Sequence, residues 1–155
     1  MKDQNSTYED WKKRFPLCFE RKGGWMAFSL EYNAGWNGIV EELLGKIEGH
    51  LAEKQALGLL DPDCGFQINQ IKEKFGTMRF YVSGADDTIF GFIDEAERKT
   101  ANTCEMCGNS GALYTKRGKF WLRTFCAAHA EEYDFEPCNS EAANEDTDDI
   151  HPRQL

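Results

Sequence analysis

Two short clusters of metal-ligand residues, Cys104 with Cys107 and Cys126 with His129, constrain this chain more than any other feature of the sequence. Two residues separate the members of each cluster, and eighteen separate Cys107 from Cys126. This spacing is typical of a structural zinc site, where two short turns each supply two ligands to one tetrahedral ion. Because four strong ligands leave no coordination position for water, we expect one structural Zn²⁺ ion rather than a catalytic one.

The residues between and after the clusters predict how this element folds. ALYTK (112–116) and KFWLRTF (119–125) have strand-like composition, and Arg117-Gly118 between them is a hairpin signal. The second cluster leads directly into AAHAEEYDF (127–135), which starts like a helix. A tight turn that bears the first ligand pair (the first knuckle, Cys104 to Gly108), then a hairpin, and then a ligand pair at a helix N-terminus predict a treble-clef-like zinc ribbon. Because the element is too short for its own core, zinc, with an apparent binding energy on the order of 10 kcal/mol, would fold it.

The hydrophobic pattern ahead of this element alternates between strand and helix periods. WMAFSLEY (25–32) alternates like a half-buried strand, and GWNGIVEELLGKIEGHLAEKQ (35–55) carries apolar residues at helical spacing. FQINQIKEKFGTMRFYVSG (66–84) fits two strands folded on a turn, and the residues after Asp86 fit a helix. The predicted fold class is therefore α+β, with a small β-α-β-β-α body before the zinc ribbon.

Changes in composition divide the chain into four segments. We assign 1–22 to an N-terminal segment, 23–101 to the α+β body, 102–136 to the zinc-binding element and 137–155 to a tail. The tail holds five acidic residues and few apolar ones. Such a segment buries too little to offset its ordering entropy, so we expect a disordered acidic tail.

Charge and targeting signals limit the partners that are expected. The N-terminus, MKDQNSTYEDWKKRF, lacks the apolar run of a secretory signal, and no stretch has the length of a membrane span, which predicts a cytoplasmic protein without membrane contact. The formal net charge is −9, and an acidic chain is repelled by phosphate backbones. The net charge therefore disfavours broad nucleic-acid binding, but it does not exclude binding at a local cationic patch.

One string in the body is distinctive. QIKEKFGTMRFY (70–81), preceded by Glu31 to Trp36 and followed by the two ligand clusters, resembles a group of small uncharacterised phage and prophage proteins. The resemblance covers roughly residues 14–130, with departures at Met78, where Leu is usual, and at Ala34, where an acidic or small residue is common. It implies a viral or mobile-element origin and a role in the host cytoplasm, and it supplies no activity.

The same string offers a first candidate for ligand binding. Lys72, Lys74 and Arg79 lie near the predicted turn and would form a small basic recess for a phosphate or nucleotide. Tyr81 or Trp36 would supply a stacking surface. The alternative is that these are ordinary strand charges paired with neighbouring acids.

The hairpin of the zinc-binding element offers a second candidate. Four cations lie on either side of one aromatic residue along it: Lys116, Arg117, Lys119, Trp121 and Arg123. Proteins that bind single-stranded nucleic acid use basic residues interleaved with aromatic ones. This hairpin patch is therefore a candidate for contact with a nucleic acid or another partner.

The function predicted from these features is non-enzymatic binding of a host protein, for example inhibition of a defence or replication factor. A catalytic set of paired acids, a phosphate-cradling glycine loop or a Ser/His/Asp group cannot be assembled from the sequence. A nucleic-acid or nucleotide-binding zinc protein is the first alternative. A nuclease or hydrolase is the second, but it would need a free histidine near the hairpin, and His129 is already assigned to the metal.

Overall fold

The structure, a computed structural model, describes residues 3–20, 28–60 and 65–138. Five helices occur in these ranges: α1 (Gln4–Arg14), α2 (Pro16–Phe19), α3 (Asn37–Ala56), α4 (Asp87–Thr100) and α5 (Ala127–Glu132). A short 3-10 turn, Ala34–Trp36, leads into α3. The strands in the same ranges are β1 (Ser29–Glu31), β2 (Gln67–Lys74), β3 (Thr77–Ser83), β4 (Ala112–Lys116), β5 (Leu122–Phe125) and β6 (Phe135–Pro137). From residue 139 onward, the predicted acidic tail lies outside the described residues.

The first sheet carries the body. β1 pairs in parallel with β2, and β2 pairs antiparallel with β3. Parallel neighbours need a crossover connection, which α3 supplies. In the two-residue turn between β2 and β3, Phe75 has φ 53° and Gly76 has φ 84°. Positive φ at both central residues is typical of the type I′ turn, whose twist matches that of the flanking strands. The mixed α+β prediction is confirmed, and the body follows the predicted order of elements.

The core of the body lies between this sheet and the two long helices. Its largest fully buried side chains come from α1, the turn before α3, α3 itself, the sheet and α4: Trp11, Trp36, Leu43, Leu44, Ile47, Ile71, Met78 and Ile89. α4 begins where Asp86 caps it by accepting a hydrogen bond from the Ile89 N–H at 3.0 Å. None of the helices in the described ranges is both long and apolar enough to cross a membrane.

The N-terminal segment packs on the body wherever it is described. The indole of Trp11 is fully buried, and its Nε1 donates to the Glu41 carboxylate of α3 at 3.0 Å. The backbone N–H groups of Leu17 and Cys18 donate to the Glu48 carboxylate at 3.0 and 2.9 Å. The described part of segment 1–22 therefore belongs to the body, a role that the sequence analysis did not predict.

The second sheet has the strand order β5-β4-β6, and both neighbours of β4 are antiparallel to it. β4 and β5 are the predicted hairpin, and α5 follows at the predicted place. β6 was not predicted, and it pairs Phe135 with Lys116 and Pro137 with Tyr114. The predicted boundary between element and tail, 136/137, falls inside β6. The folded element extends to Pro137 because this strand completes the sheet.

Candidate metal centre and adjoining aromatic pocket

The four predicted ligand side chains meet at one point. One atom from each of Cys104, Cys107, Cys126 and His129 lies within 4.8 Å of every other. The His129 Nδ1 is 3.5 Å from the Cys104 Sγ and 3.2 Å from the Cys126 Sγ, and the Sγ atoms of Cys107 and Cys126 are 3.8 Å apart. These four residues could hold one metal ion, as the spacing predicts.

Local backbone structure places the two ligand pairs. In the first pair, the Gly108 N–H donates to the Cys104 carbonyl at 2.9 Å, and Gly108 takes φ 79°, which closes the tight knuckle. In the second pair, Cys126 is the N-cap of α5 and His129 lies in its first turn. A hydrogen bond from the His129 backbone lowers the pKa of the Cys126 thiol to about 7, which favours the thiolate that binds metal.

Gly35 and Trp36 of the body pack against the first knuckle and form hydrogen bonds with the backbone of the knuckle and of Thr103 just before it. A Cβ atom on Gly35 would lie 2.4 Å from the carbonyl oxygens of both Cys104 and Glu105, so the approach admits only glycine. The Gly35 N–H donates to the Glu105 carbonyl at 2.8 Å, and the Trp36 indole donates to the Thr103 carbonyl at 2.8 Å. Trp36 is fully buried. The proposed use of Trp36 as a stacking surface is thus corrected, because its ring packs in the core and its polar atom holds the knuckle.

A buried ion pair supports the centre from the side. Glu105, within the first knuckle, has no exposed surface, and it accepts two hydrogen bonds from Arg123 of β5 at 2.7 and 3.0 Å. The Asn33 N–H donates to the same carboxylate at 3.3 Å, and Glu73 of β2 lies 3.4 Å from Arg123. Burial raises the pKa of Glu105, and the Arg123 charge opposes that rise. The charge of Arg123 is therefore neutralised within the protein.

The turn of the QIKEKFG string packs against the same hairpin. The buried Thr124 hydroxyl of β5 donates to the Gly76 carbonyl at 2.5 Å. A Cβ atom on Gly76 would lie 2.5 Å from the Leu113 side chain of β4. Because Glu73 and Gly76 both contact the candidate metal-binding element, the most distinctive string of the sequence forms part of the junction between that element and the body.

The remaining residues of the proposed basic recess are placed as follows. Lys72 and Arg79 face each other across β2 and β3. Arg79 donates to the Thr77 hydroxyl at 2.8 Å, and the Lys74 ammonium lies 5.6 Å from the Phe75 ring centre. Tyr81 is the register partner of Gln70. Lys72 and Arg79 are thus brought together, while Lys74 lies at the turn beside an aromatic ring.

The hairpin patch is partly occupied by contacts within the protein. Arg117 pairs with Asp134 at 3.1 Å, and the Arg123 guanidinium also lies 5.3 Å from the centre of the Trp121 ring. Lys116 donates to the Tyr133 carbonyl and lies 5.3 Å from the Phe135 ring centre. Lys119 is exposed. Two of the four cations are thus already paired with carboxylates, which weakens the patch as a site for phosphate.

A pocket beside the metal centre was missed by the sequence analysis. This aromatic pocket has a volume of about 260 Å³ and is mainly apolar. It is lined by Asn33, Met106, Lys116, Trp121, Arg123, Phe125, Tyr133 and Phe135. The aromatic residues of EEYDF, directly after α5, were the available signal. They were assigned to a helix start because nothing local shows that the chain turns back at Asp134 (φ 61°) to form β6.

Comparisons with known proteins add no relative. No protein-family model, no curated protein and no solved structure matches the chain.

Proposed function

We propose that Cys104, Cys107, Cys126 and His129 bind one structural Zn²⁺ ion in a treble-clef-like arrangement. Zinc–sulfur bonds of about 2.3 Å at tetrahedral angles place two sulfur atoms about 3.8 Å apart. The Sγ atoms of Cys107 and Cys126 have this separation, 3.8 Å. Three thiolates and an imidazole are also ligands that zinc prefers. The ligand chemistry and the spacing of the atoms both support the assignment.

The ion would serve stability rather than catalysis. Four protein ligands fill a tetrahedral shell, whereas a catalytic zinc keeps a position for water. The apolar cluster of the element is small: Cys104, Phe125, Ala130 and Phe135. A cluster of this size supplies little hydrophobic stabilisation, so the binding energy of the metal would hold the element folded.

The protein so stabilised, in this proposal, is a phage or prophage accessory protein that binds a host protein in the cytoplasm and carries out no reaction. The observation that carries the proposal is the open aromatic pocket next to a complete ligand set. Trp121 and Tyr133 of the pocket are 47% and 38% exposed, and Phe120 beside them is 81% exposed. Exposed aromatic residues around a cavity mark protein-interaction surfaces, where Trp and Tyr supply much of the binding energy.

The experiment has two readouts. Reduced protein is first assayed for bound metal, and one zinc per chain is expected. Tagged protein is then incubated with host lysate at several salt concentrations, in parallel with Cys107→Ser, which removes one ligand with little change in volume. A discrete host protein should bind the parent and be lost from Cys107→Ser. Recovery of only background proteins, or of nucleic acid alone, would contradict the proposal.

A further inference from the structure

We infer that the aromatic pocket receives one large apolar side chain, preferably aromatic, from a partner segment in which acidic residues flank that side chain. The inference rests on the proposed function, because it names the kind of segment that a host protein would present.

The walls of the pocket favour an aromatic guest. The rings of Trp121 and Phe135 meet edge to face with centres 5.6 Å apart, and those of Phe125 and Phe135 do so at 5.0 Å. Such arrangements leave ring faces and edges to contact a further ring, in the geometry that aromatic pairs prefer. A cavity of about 260 Å³ lies below the usual range of sites for drug-sized ligands, roughly 300–1,000 Å³. One anchoring side chain suits this volume better than a cofactor does.

The pocket is held in shape by the metal centre. The Tyr133 ring stacks on the imidazole of His129, a candidate ligand, with centres 6.2 Å apart and planes 17° apart. Its other stacking partner is Phe125, at 5.6 Å. A wall fixed in this way loses little further freedom when a guest enters, which lowers the cost of binding. Metal removal should therefore weaken binding even though no ligand of the metal lines the pocket.

The charge at the edge favours acidic neighbours of the anchor. Lys116 lines the pocket and forms no ion pair with any carboxylate in the described ranges; there its ammonium contacts the Tyr133 carbonyl and the Phe135 ring. An ammonium has three donors, so it retains capacity for a carboxylate from a partner. Arg123, the other cation of the lining, is held by Glu105 and Glu73. The available charge of the pocket is therefore that of Lys116.

These charges favour a peptide over a nucleic acid. Affinity for a phosphate backbone grows with the number of phosphates that cations neutralise. On the hairpin, Arg117 and Arg123 already have carboxylate partners, which leaves Lys116 and Lys119. Two cations on a chain of net charge −9 supply a small electrostatic term. A segment with one or two acids flanking an apolar anchor needs no more than this.

The test is selection from a random twelve-residue peptide library on the full-length, zinc-loaded protein, followed by affinity measurement on the most enriched peptide. We expect enriched sequences with an aromatic residue flanked by Asp or Glu. Trp121→Ala should weaken binding at least tenfold, whereas Phe120→Ala, which removes a neighbouring ring outside the lining, should change it less than twofold. Lys116→Gln should weaken binding severalfold and reduce its salt dependence, and Lys119→Gln should do so less.

Four outcomes would overturn the inference. The first is enrichment of peptides that lack the aromatic or the acids, and the second is equal sensitivity to Trp121→Ala and Phe120→Ala. The third is that a fifteen-nucleotide oligothymidine binds more tightly than the enriched peptide and that this binding is lost in Trp121→Ala, which would assign the pocket to nucleic acid. The fourth is peptide binding that appears only after deletion of 139–155, which would make the chain's own acidic segment the occupant.

Failure of this inference is distinguishable from failure of the proposed function. If a host protein is captured in a zinc-dependent manner and its capture is unaffected by Trp121→Ala, the proposed function stands and the pocket is not the binding site. If the protein holds no zinc, the proposed function fails irrespective of the peptide result.

Discussion

Arg123 donates two hydrogen bonds, at 2.7 and 3.0 Å, to the fully buried carboxylate of Glu105 inside the first knuckle. The two residues belong to different arms of the metal-binding element, and Glu73 of the body lies 3.4 Å from the same guanidinium. Arg123 thereby links β5 to the first knuckle and also to Glu73 of the QIKEKFG string. This contact joins the element to the body beside the first ligand pair.

Removing the Arg123 side chain should lower the free energy of unfolding far more than removing a surface arginine does. In Arg123→Ala the buried Glu105 carboxylate loses its counter-charge, and breaking a buried pair in this way costs about 3 kcal/mol or more. The matched control is Arg117→Ala, since the Arg117–Asp134 pair is largely exposed and worth under about 1 kcal/mol. Urea unfolding measures both. Equal losses for the two variants would show that the buried pair does not support the fold.

A single methyl group at Gly35 should separate the element from the body. In Gly35→Ala the new Cβ would lie 2.4 Å from two backbone oxygens, which cannot yield as a flexible side chain would. We expect a loss of several kcal/mol, or failure to fold, since backbone shifts of this kind are costly. Gly38→Ala is the control, because nothing lies within 4 Å of its Cβ and alanine favours the helix by about 1 kcal/mol. If the thermal unfolding midpoint of Gly35→Ala is equal to or higher than that of Gly38→Ala, the close approach is contradicted.

Glu97 should make stability depend on pH near neutrality. Burial raises the pKa of Glu97 to about 7, and its carboxylate accepts a hydrogen bond from the Phe80 N–H at 2.9 Å. Because the folded state holds this proton more tightly than the unfolded state, the stabilisation is complete below about pH 4.3 and is lost as the pH rises towards 7. The neutral variant Glu97→Gln removes that dependence.

The measurement for Glu97 is the difference in unfolding free energy between the parent and Glu97→Gln across pH 4 to 8. The variant should gain about 3 kcal/mol relative to the parent over this interval. Other titrating groups are common to both proteins and cancel in the difference. A difference that stays constant with pH would mean that Glu97 is not titrating in this window.

Features set by local sequence could be predicted. The spacing of Cys104, Cys107, Cys126 and His129 indicated one centre, and the four atoms lie within 4.8 Å of one another. The alternating apolar residues of β3 and the cap at Asp86 also identified their elements correctly. Each ligand pair, the alternation of β3 and the cap at Asp86 occupies only a few consecutive residues, where backbone periodicity and ligand geometry act directly.

Features that depend on distant parts of the chain could not be predicted. In the sequence, Gly35 is only the first residue of the stretch with helical spacing, whereas in the structure glycine is required there by the carbonyl oxygens of Cys104 and Glu105, some seventy residues later. Arg123 belonged to a charged patch in sequence and to a buried ion pair in the structure. β6 has three residues and gains its stability from pairing with β4, which leaves little local signature. The aromatic pocket follows from β6 and was missed with it.

Zinc removal should unfold the element before the body. If zinc supports the small apolar cluster of residues 104–135 as proposed, Cys107→Ser or a chelator removes that support, whereas the body keeps the buried side chains of α3, α4 and the first sheet. Hydrogen exchange should therefore rise first across 104–135 and later in α3. Simultaneous loss of protection in both regions would show that they unfold as one unit.

Metal analysis of the cleanly reduced, full-length protein tests the central claim most directly. Native mass spectrometry combined with elemental analysis should find one zinc per chain in the parent and none retained by Cys107→Ser after dialysis. A parent protein that holds no metal while residues 104–135 remain protected from hydrogen exchange would contradict the account.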